Sequence, residues 1–289
     1  MNILVTGCYG QLGTEIKRIA ANDHAHRWHF TDIDTLDICD LDAVKQYFAD
    51  HDIEVCINCA AYTAVDKAED EPELAKKVNV EAPRILAKCC LRHHATLVHI
   101  STDYVFDGNG TRPYREDDAT APTSVYGKTK RDGEIAVQDS GCNYIIVRTA
   151  WLYSSTGKNF VKTMLMLGDT KDEINVVNDQ KGCPTWAHDL ALAIVRLLEK
   201  YGKKPVHETF HFTNEGQITW YDFATAIMEI GGKTCKVNPI TTDQYPTKAK
   251  RPAYSVLNLN KIKEVTRMEI PFWRESLEKC IEEIIKNTK

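Results

Sequence analysis

The first thirteen residues constrain the fold more than any other stretch of the chain. Asn2 to Thr6 is a short apolar, β-branched run that stops at Gly7; Gly7-Cys8-Tyr9-Gly10-Gln11-Leu12-Gly13 follows at once, then an amphipathic run through Ile16 and Ile19. A GxxGxxG spacing carries meaning in this order of strand, glycine loop and helix. The glycines Gly7, Gly10 and Gly13 allow a tight turn and close backbone approach to a pyrophosphate, which the positive end of the helix favours. A second strand, Trp28 to Thr31, ends at Asp32, about twenty residues on, where a carboxylate can accept from the hydroxyls of an adenosine ribose. Asp32-Ile33-Asp34 repels a 2′-phosphate, and Cys8 and Tyr9 offer it no cation, so these residues favour NADH over NADPH. The plainer alternative is an aspartate that only closes a strand. Asp37-Ile38 is placed to reach the adenine edge.

The alternation then continues. Asp40 is expected to cap a helix through Phe48, and a third strand, Val55 to Asn58, ends in the small residues Cys59-Ala60-Ala61-Tyr62-Thr63, which leave room for a dinucleotide. Glu69, Asp70 and Glu71 precede Pro72 and open a helix that runs past Asn79 and Val80 to His94; the acids suit the helix dipole as a solvated face. Thr96 to Ser101 is a fourth strand that delivers Thr102 to the carboxyl edge of the sheet, where open α/β folds place ligands. Asp107 to Pro113 and the acids Glu116, Asp117 and Asp118 read as a bordering loop without chemistry of its own. Thr123 or Ser124 can cap the next helix, and Tyr144 to Arg148 is a fifth strand. The pattern predicts an α/β fold with a doubly wound parallel sheet over residues 1–150. Residues 151–289 are expected to form a smaller α/β lobe interwoven with it: a Met-rich helix after Asn159-Phe160, a strand near Ile174 to Val177, helices from His188 and around Trp220, Tyr221 and Phe223, and a terminal helix around Leu277 to Ile285.

Tyr126 and Lys130 lie one helical turn apart, on one face. A free phenol titrates near pH 10. At about 4 Å and an effective dielectric of about 20, one ammonium stabilises a phenolate by roughly 4 kcal/mol, or about three pKa units, enough to bring a tyrosine into working range. A hydroxyl from Ser101 or Thr102 is placed to hold a carbonyl oxygen beside that phenol. The bland alternative is a packed tyrosine with a snorkelling lysine.

Composition narrows the classes. With 43% hydrophobic residues the 289-residue chain can bury a sizeable core, while a net charge of -5 and a pI near 6.1 argue against nucleic acid or a polybasic membrane role. No stretch approaches eighteen uninterrupted apolar residues and no secretory n-region opens the chain, so a cytoplasmic protein is expected. The ten cysteines are scattered, several within apolar runs, which fits reduced thiols. Cys56-Ile57-Asn58-Cys59 has CxxC spacing but ends a strand, whereas a redox pair begins a helix.

Taken together, the glycine loop, Ser101-Thr102-Asp103-Tyr104-Val105-Phe106 and Tyr126-x-x-x-Lys130 resemble the extended short-chain dehydrogenase/reductases, whose sheet is of the Rossmann type. Within them, Ala61 to Glu69, Asn159-Phe160, Asp179-Gln180-x-Gly182-x-Pro184-Thr185 and Arg251-Pro252 resemble the dTDP-4-dehydrorhamnose reductase family over nearly the whole length. The resemblance implies reduction of the 4-keto group of a dTDP-6-deoxy sugar by NADH or NADPH. It implies Gly10, Gln11 and Leu12 at the pyrophosphate, Asp32, Asp37 and Ile38 at the adenosine, and Ala61, Tyr62 and Thr63 along the dinucleotide. Thr102 and Asp103 would contact the sugar, Trp151 would pack on it, Tyr126 would donate the proton, and Lys130 would hold the nicotinamide ribose. Some members are linked to Mg2+ and to dimers through acidic surface residues; no matching ligand set is present, so no metal residue is carried over. A monomer or homodimer is expected. A sugar-nucleotide epimerase, a reductase of a related keto sugar and a non-catalytic nucleotide-binding subunit are the rival readings.

Overall fold

In a computed structural model that describes residues 1–202 and 204–288, six strands form one parallel sheet. They are β1 (Asn2–Thr6), β2 (Arg27–Thr31), β3 (Val55–Asn58), β4 (Thr96–Thr102), β5 (Asn143–Thr149) and β6 (His207–His211), and they lie in the order β6-β5-β4-β3-β1-β2. The chain steps outward from β1 to β2 and then returns across β1 to β3. The connections therefore diverge between β1 and β3, which opens a crevice above their carboxyl ends. Gly7 sits at that point with φ +66°, and a Cβ there would stand 2.7 Å from the Ala60 nitrogen. Only glycine lets the loops after β1 and β3 pass so closely.

Apolar runs inside the sheet face helices on both sides. On one face Ile3, Val5, Leu12 and Ile16 pack with Ile194 and Leu197, joining helix Gln11–Ala20 to helix Ala187–Tyr201. On the other, Leu4, Val44, Phe48 and Leu86 join helices Leu41–His51 and Ala82–His93. Asp40 caps its helix as expected, accepting from the Asp42 and Ala43 amides. Of the two candidate caps before Tyr126, Ser124 is the one used: its hydroxyl accepts from the Gly127 amide at 3.1 Å.

The continuous helix expected from Pro72 to His94 is interrupted. A separate short helix, Val65–Ala68, precedes it, and between Pro72–Lys76 and Ala82–His93 one turn, Lys77–Glu81, widens to π geometry. Pro83 explains the break: it has no N–H to offer the carbonyl of Asn79, four residues earlier. The widened turn aims the Asn79 side chain at the loop after β3. Its Oδ1 accepts from the Tyr62 amide at 2.9 Å, and its Nδ2 donates to the Tyr62 carbonyl at 3.0 Å and to the Thr129 hydroxyl at 3.1 Å.

Residues beyond 150 build a second cluster around Tyr153, Val161, Trp186, Phe223 and Leu277. They also return to the sheet. Helix Ala187–Tyr201 covers one face, and β6 pairs in parallel with β5 from His207 beside Tyr144 to His211 beside Arg148. β6 went unrecognised in the sequence because His-Glu-Thr-Phe-His lacks the apolar run that marks a central strand; it lies at the sheet edge.

Helix Val125–Gln138 is held in its C-terminal half by two adjacent contacts. Arg148 on β5 donates to both oxygens of Glu134, at 2.9 and 2.8 Å, with both side chains buried. Gly133 lies against the Asn79 carbonyl, where a Cβ would stand 2.1 Å away. Helix propensity alone favours Gly133→Ala by about 1 kcal/mol. Overpacking against backbone reverses that sign: the variant should lose roughly 2 kcal/mol or more in urea unfolding, and an unchanged or higher midpoint would show that the contact relaxes without cost.

Candidate active site

A cleft of about 760 Å³ runs along the carboxyl edge of the sheet, from the loops after β1 and β2 to the start of helix Val125–Gln138. Its size suits a small-molecule or cofactor site. Gly7, Gly10, Gln11, Leu12 and Gly13 form its floor at one end, with Asp32, Asp37 and Ile38 beside them. Ala61 and Thr63 line the middle, and Ser101, Thr102, Asp103, Tyr126, Lys130 and Trp151 line the far end. One expected member is missing. Tyr62 does not line the cleft, because Asn79 holds its backbone and its phenol donates to Glu71 at 2.5 Å.

The glycine end fits a dinucleotide. No side chain caps helix Gln11–Ala20 and its first turn carries no acid, so its leading amides and dipole face the cleft uncompensated. Asp32 uses its carboxylate to shape the wall, accepting from the Tyr9 and Ile33 amides at 2.9 Å each. A carboxylate has about four lone-pair sites, so it retains capacity for ribose hydroxyls.

At the far end, burial dominates. It raises the Tyr126 phenol above its ordinary pKa, with the carboxylate of Asp103 and the phenol of Tyr104 adding to the rise and the Thr102 hydroxyl opposing it. This corrects the expectation that Lys130 would bring the phenol down. Lys130 shares the helix face, but its ammonium is itself buried and donates to the Ile100 carbonyl at 2.7 Å, and desolvation lowers it to about 8. Both groups lie out of water, and desolvation favours the neutral phenol of Tyr126. Asp103 is pushed up to about 6 by burial, which the Thr102 and Ser255 hydroxyls partly offset. The Thr102 hydroxyl donates to Asp103 Oδ1 at 2.9 Å, ordering the pair.

Trp151 takes a left-handed backbone with φ 48°, costly for a bulky residue. Its ring is stacked at 3.7 Å on Trp220, over Gly182, where a Cβ would come within 2.7 Å of the indole. The strained backbone thus presents a flat aromatic wall to the cleft.

Burial raises the Cys59 thiol, the reverse of what a reactive thiolate needs. Among the described residues no cluster of three or more His, Cys, Asp or Glu could hold a metal ion, and no helix is long and apolar enough to cross a membrane.

The profile of the RmlD substrate binding domain matches residues 1–286. The chain belongs to the RmlD substrate binding domain family. It is 40% identical, over 283 residues that cover 95% of this chain and 96% of the relative, to dTDP-4-dehydrorhamnose reductase of Aggregatibacter actinomycetemcomitans. Its fold is similar to that of a dTDP-4-dehydrorhamnose reductase from Clostridium acetobutylicum, with TM-score 0.92, 45% identity and coverage of 98% of this chain and 99% of the other. The corresponding reductase of Bacillus anthracis, solved in complex with NADP, matches with TM-score 0.93, 36% identity and the same coverage.

Three groups of this RmlD family member lay outside the sequence reading. Asn79 braces the loop after β3 against the helix of Tyr126, and a proline four residues later was the available signal. Tyr104 packs edge-on against Tyr126 at 5.5 Å, and its hydroxyl meets Arg251, which donates to Asp66 at 2.5 Å. Lys158 lines the cleft from beyond residue 150. Tyr104 lies within the Ser101–Phe106 motif, but no local pattern gives it or Lys158 a place in the site, since both depend on distant segments meeting.

The raised Asp103 pKa has a stability consequence. The folded chain holds this proton up to about pH 6, whereas the unfolded one releases it near the ordinary aspartate value of 3.8. Its contribution is therefore fully present below about pH 4 and is lost as pH rises through 6, by about 3 kcal/mol in all. Asp103→Asn should flatten that part of the pH dependence in urea unfolding; an unaltered profile between pH 4 and 6 would show that Asp103 is not its source.

Proposed function

We propose that this chain reduces the 4-keto group of dTDP-6-deoxy-L-lyxo-4-hexulose, forming dTDP-L-rhamnose with NADH or NADPH. The observation that carries the reading is one continuous cleft joining the uncapped helix at Gly10 to the buried Thr102, Tyr126 and Lys130. The relatives that share this chain over nearly their full length bear the name of that reaction.

When bound, the reduced nicotinamide supplies the hydride. The leading amides of helix Gln11–Ala20 would hold the pyrophosphate, and Asp32, Asp37 and Ile38, which line the same end of the cleft, would frame the adenosine. At the far end, Thr102 and Tyr126 bracket the carbonyl oxygen. The phenol of Tyr126 would give its proton to that oxygen, which would take up the π electron pair of the carbonyl as C4 is reduced. Burial keeps that proton in place until charge develops on the oxygen. A pKa of about 8 leaves Lys130 mostly charged at pH 7, ready to stabilise the phenolate that remains before it recovers a proton from solvent. Asp103 and Trp151 hold the sugar, the first by accepting from a hydroxyl and the second by stacking on its apolar face.

The test is a coupled assay in which the dTDP-4-keto-6-deoxy sugar is supplied with and without a 3,5-epimerase, following NADH or NADPH absorbance and identifying the product's stereochemistry. Net oxidation of cofactor that requires the epimerase is expected; an epimerase would return its cofactor, and a binding subunit would show no turnover. Tyr126→Phe should keep cofactor affinity and lose about a hundredfold to ten-thousandfold in kcat. Turnover near the parent level would rule out Tyr126 as the donor.

A further inference from the structure

The cleft is poor in positive charge. Its lining carries Asp32, Asp37 and Asp103 against two cations, Lys130 and Lys158, and the Lys130 ammonium is committed to the Ile100 carbonyl at 2.7 Å. Lys158 is exposed and makes no side-chain hydrogen bond or ion pair among the described residues. Every other part of its loop is tied down. Asn159 Nδ2 donates to Gln11 Oε1 at 3.0 Å and to the Ser154 carbonyl at 2.8 Å, the Thr156 amide donates to the Ser154 hydroxyl at 2.9 Å, and the Ser155 hydroxyl donates to Glu283 at 2.9 Å. Gly157 lies so near helix Gln11–Ala20 that a Cβ on it would stand 3.2 Å from Gln11 Cγ. The loop therefore fixes the backbone of Lys158 over the first residue of that helix while leaving its ammonium free.

Resting on the dinucleotide reading above, we propose that Lys158 is a binding residue for a diphosphate, that of the dinucleotide cofactor, lent by the second lobe to the glycine end of the cleft. The pyrophosphate carries two negative charges. The helix amides supply directed hydrogen bonds and a partial positive charge, and Lys158 supplies the one full unit of mobile charge not already engaged. The sugar nucleotide also has a diphosphate. Contact with Gln11, at the helix start, places the loop on the cofactor's side. The role also explains why a segment beyond residue 150 is fastened to the first helix of the sheet: the two lobes complete one anion site.

The test titrates NADH, NADPH and dTDP separately onto the full chain and its Lys158→Met and Lys158→Arg variants, reading tryptophan fluorescence at low and high salt, with circular dichroism as a check on folding. Lys158→Met should weaken NADH and NADPH alike, by about tenfold at low salt, with the difference shrinking as salt rises. dTDP affinity should not change, and Lys158→Arg should recover most of the loss. Equal cofactor affinity in Lys158→Met and the parent overturns the proposal. So does a loss confined to NADPH, which would assign the cation to a 2′-phosphate, or one confined to dTDP, which would assign it to the substrate. A parent chain that binds neither dinucleotide would overturn the cofactor reading itself, a result separable from any effect of the variants.

Discussion

A cation inside the protein is the constraint around which the far end of the cleft is arranged. Lys130 is 2% exposed, and an ammonium cannot stay in such a place without an acceptor. The acceptor is the Ile100 carbonyl, one residue before Ser101 and two before Thr102 on the same strand. That bond sets where the helix of Tyr126 sits along β4, and so which residues of the strand end face the phenol. The Ser124 cap, the bidentate Arg148–Glu134 pair and the close approach of Gly133 to Asn79 then remove the remaining freedom of the helix. Preorganisation of this kind lets a buried phenol act without the solvent rearrangement a surface tyrosine requires.

Residues before and after 150 are not two beads on a string. Helix Ala187–Tyr201 and β6 belong to the sheet, although they follow the segment that forms the Trp151 wall. Asp189 at the start of that helix accepts from Asn214 at 2.6 Å and from Ser276 of the terminal helix at 2.5 Å, all three buried. Arg18 reaches from the first helix to Glu283, and Arg251 and the Ala249 amide reach back to Asp66. Hydrogen bonds and ion pairs thus tie residues beyond 150 to those before them. Residues beyond 150 act as a fixed wall of the site, consistent with the strained backbone of Trp151, which persists only where its surroundings hold it.

Much was legible along the chain because the signals are local. Gly7 to Gly13 after an apolar strand, Asp32 at the end of the second strand, Asp40 as a cap and the one-turn spacing of Tyr126 and Lys130 each depend on residues within a few positions of one another. Backbone stereochemistry and period determine them. The parallel sheet and the cleft at its edge follow from the order of those elements.

Tertiary structure decided what depends on burial and on distant partners. The same one-turn spacing that brings Tyr126 and Lys130 together suggested a lowered phenol, and only the packing showed that desolvation reverses it. Tyr62 was counted in the cleft until Asn79, seventeen positions away, turned it aside. The sequence alone determined the helix, the strand ends and the residue types at the site. The fold chose which of those side chains meet, because the cost of removing a charge from water and the bond that offsets it depend on neighbours that no spacing along the chain specifies.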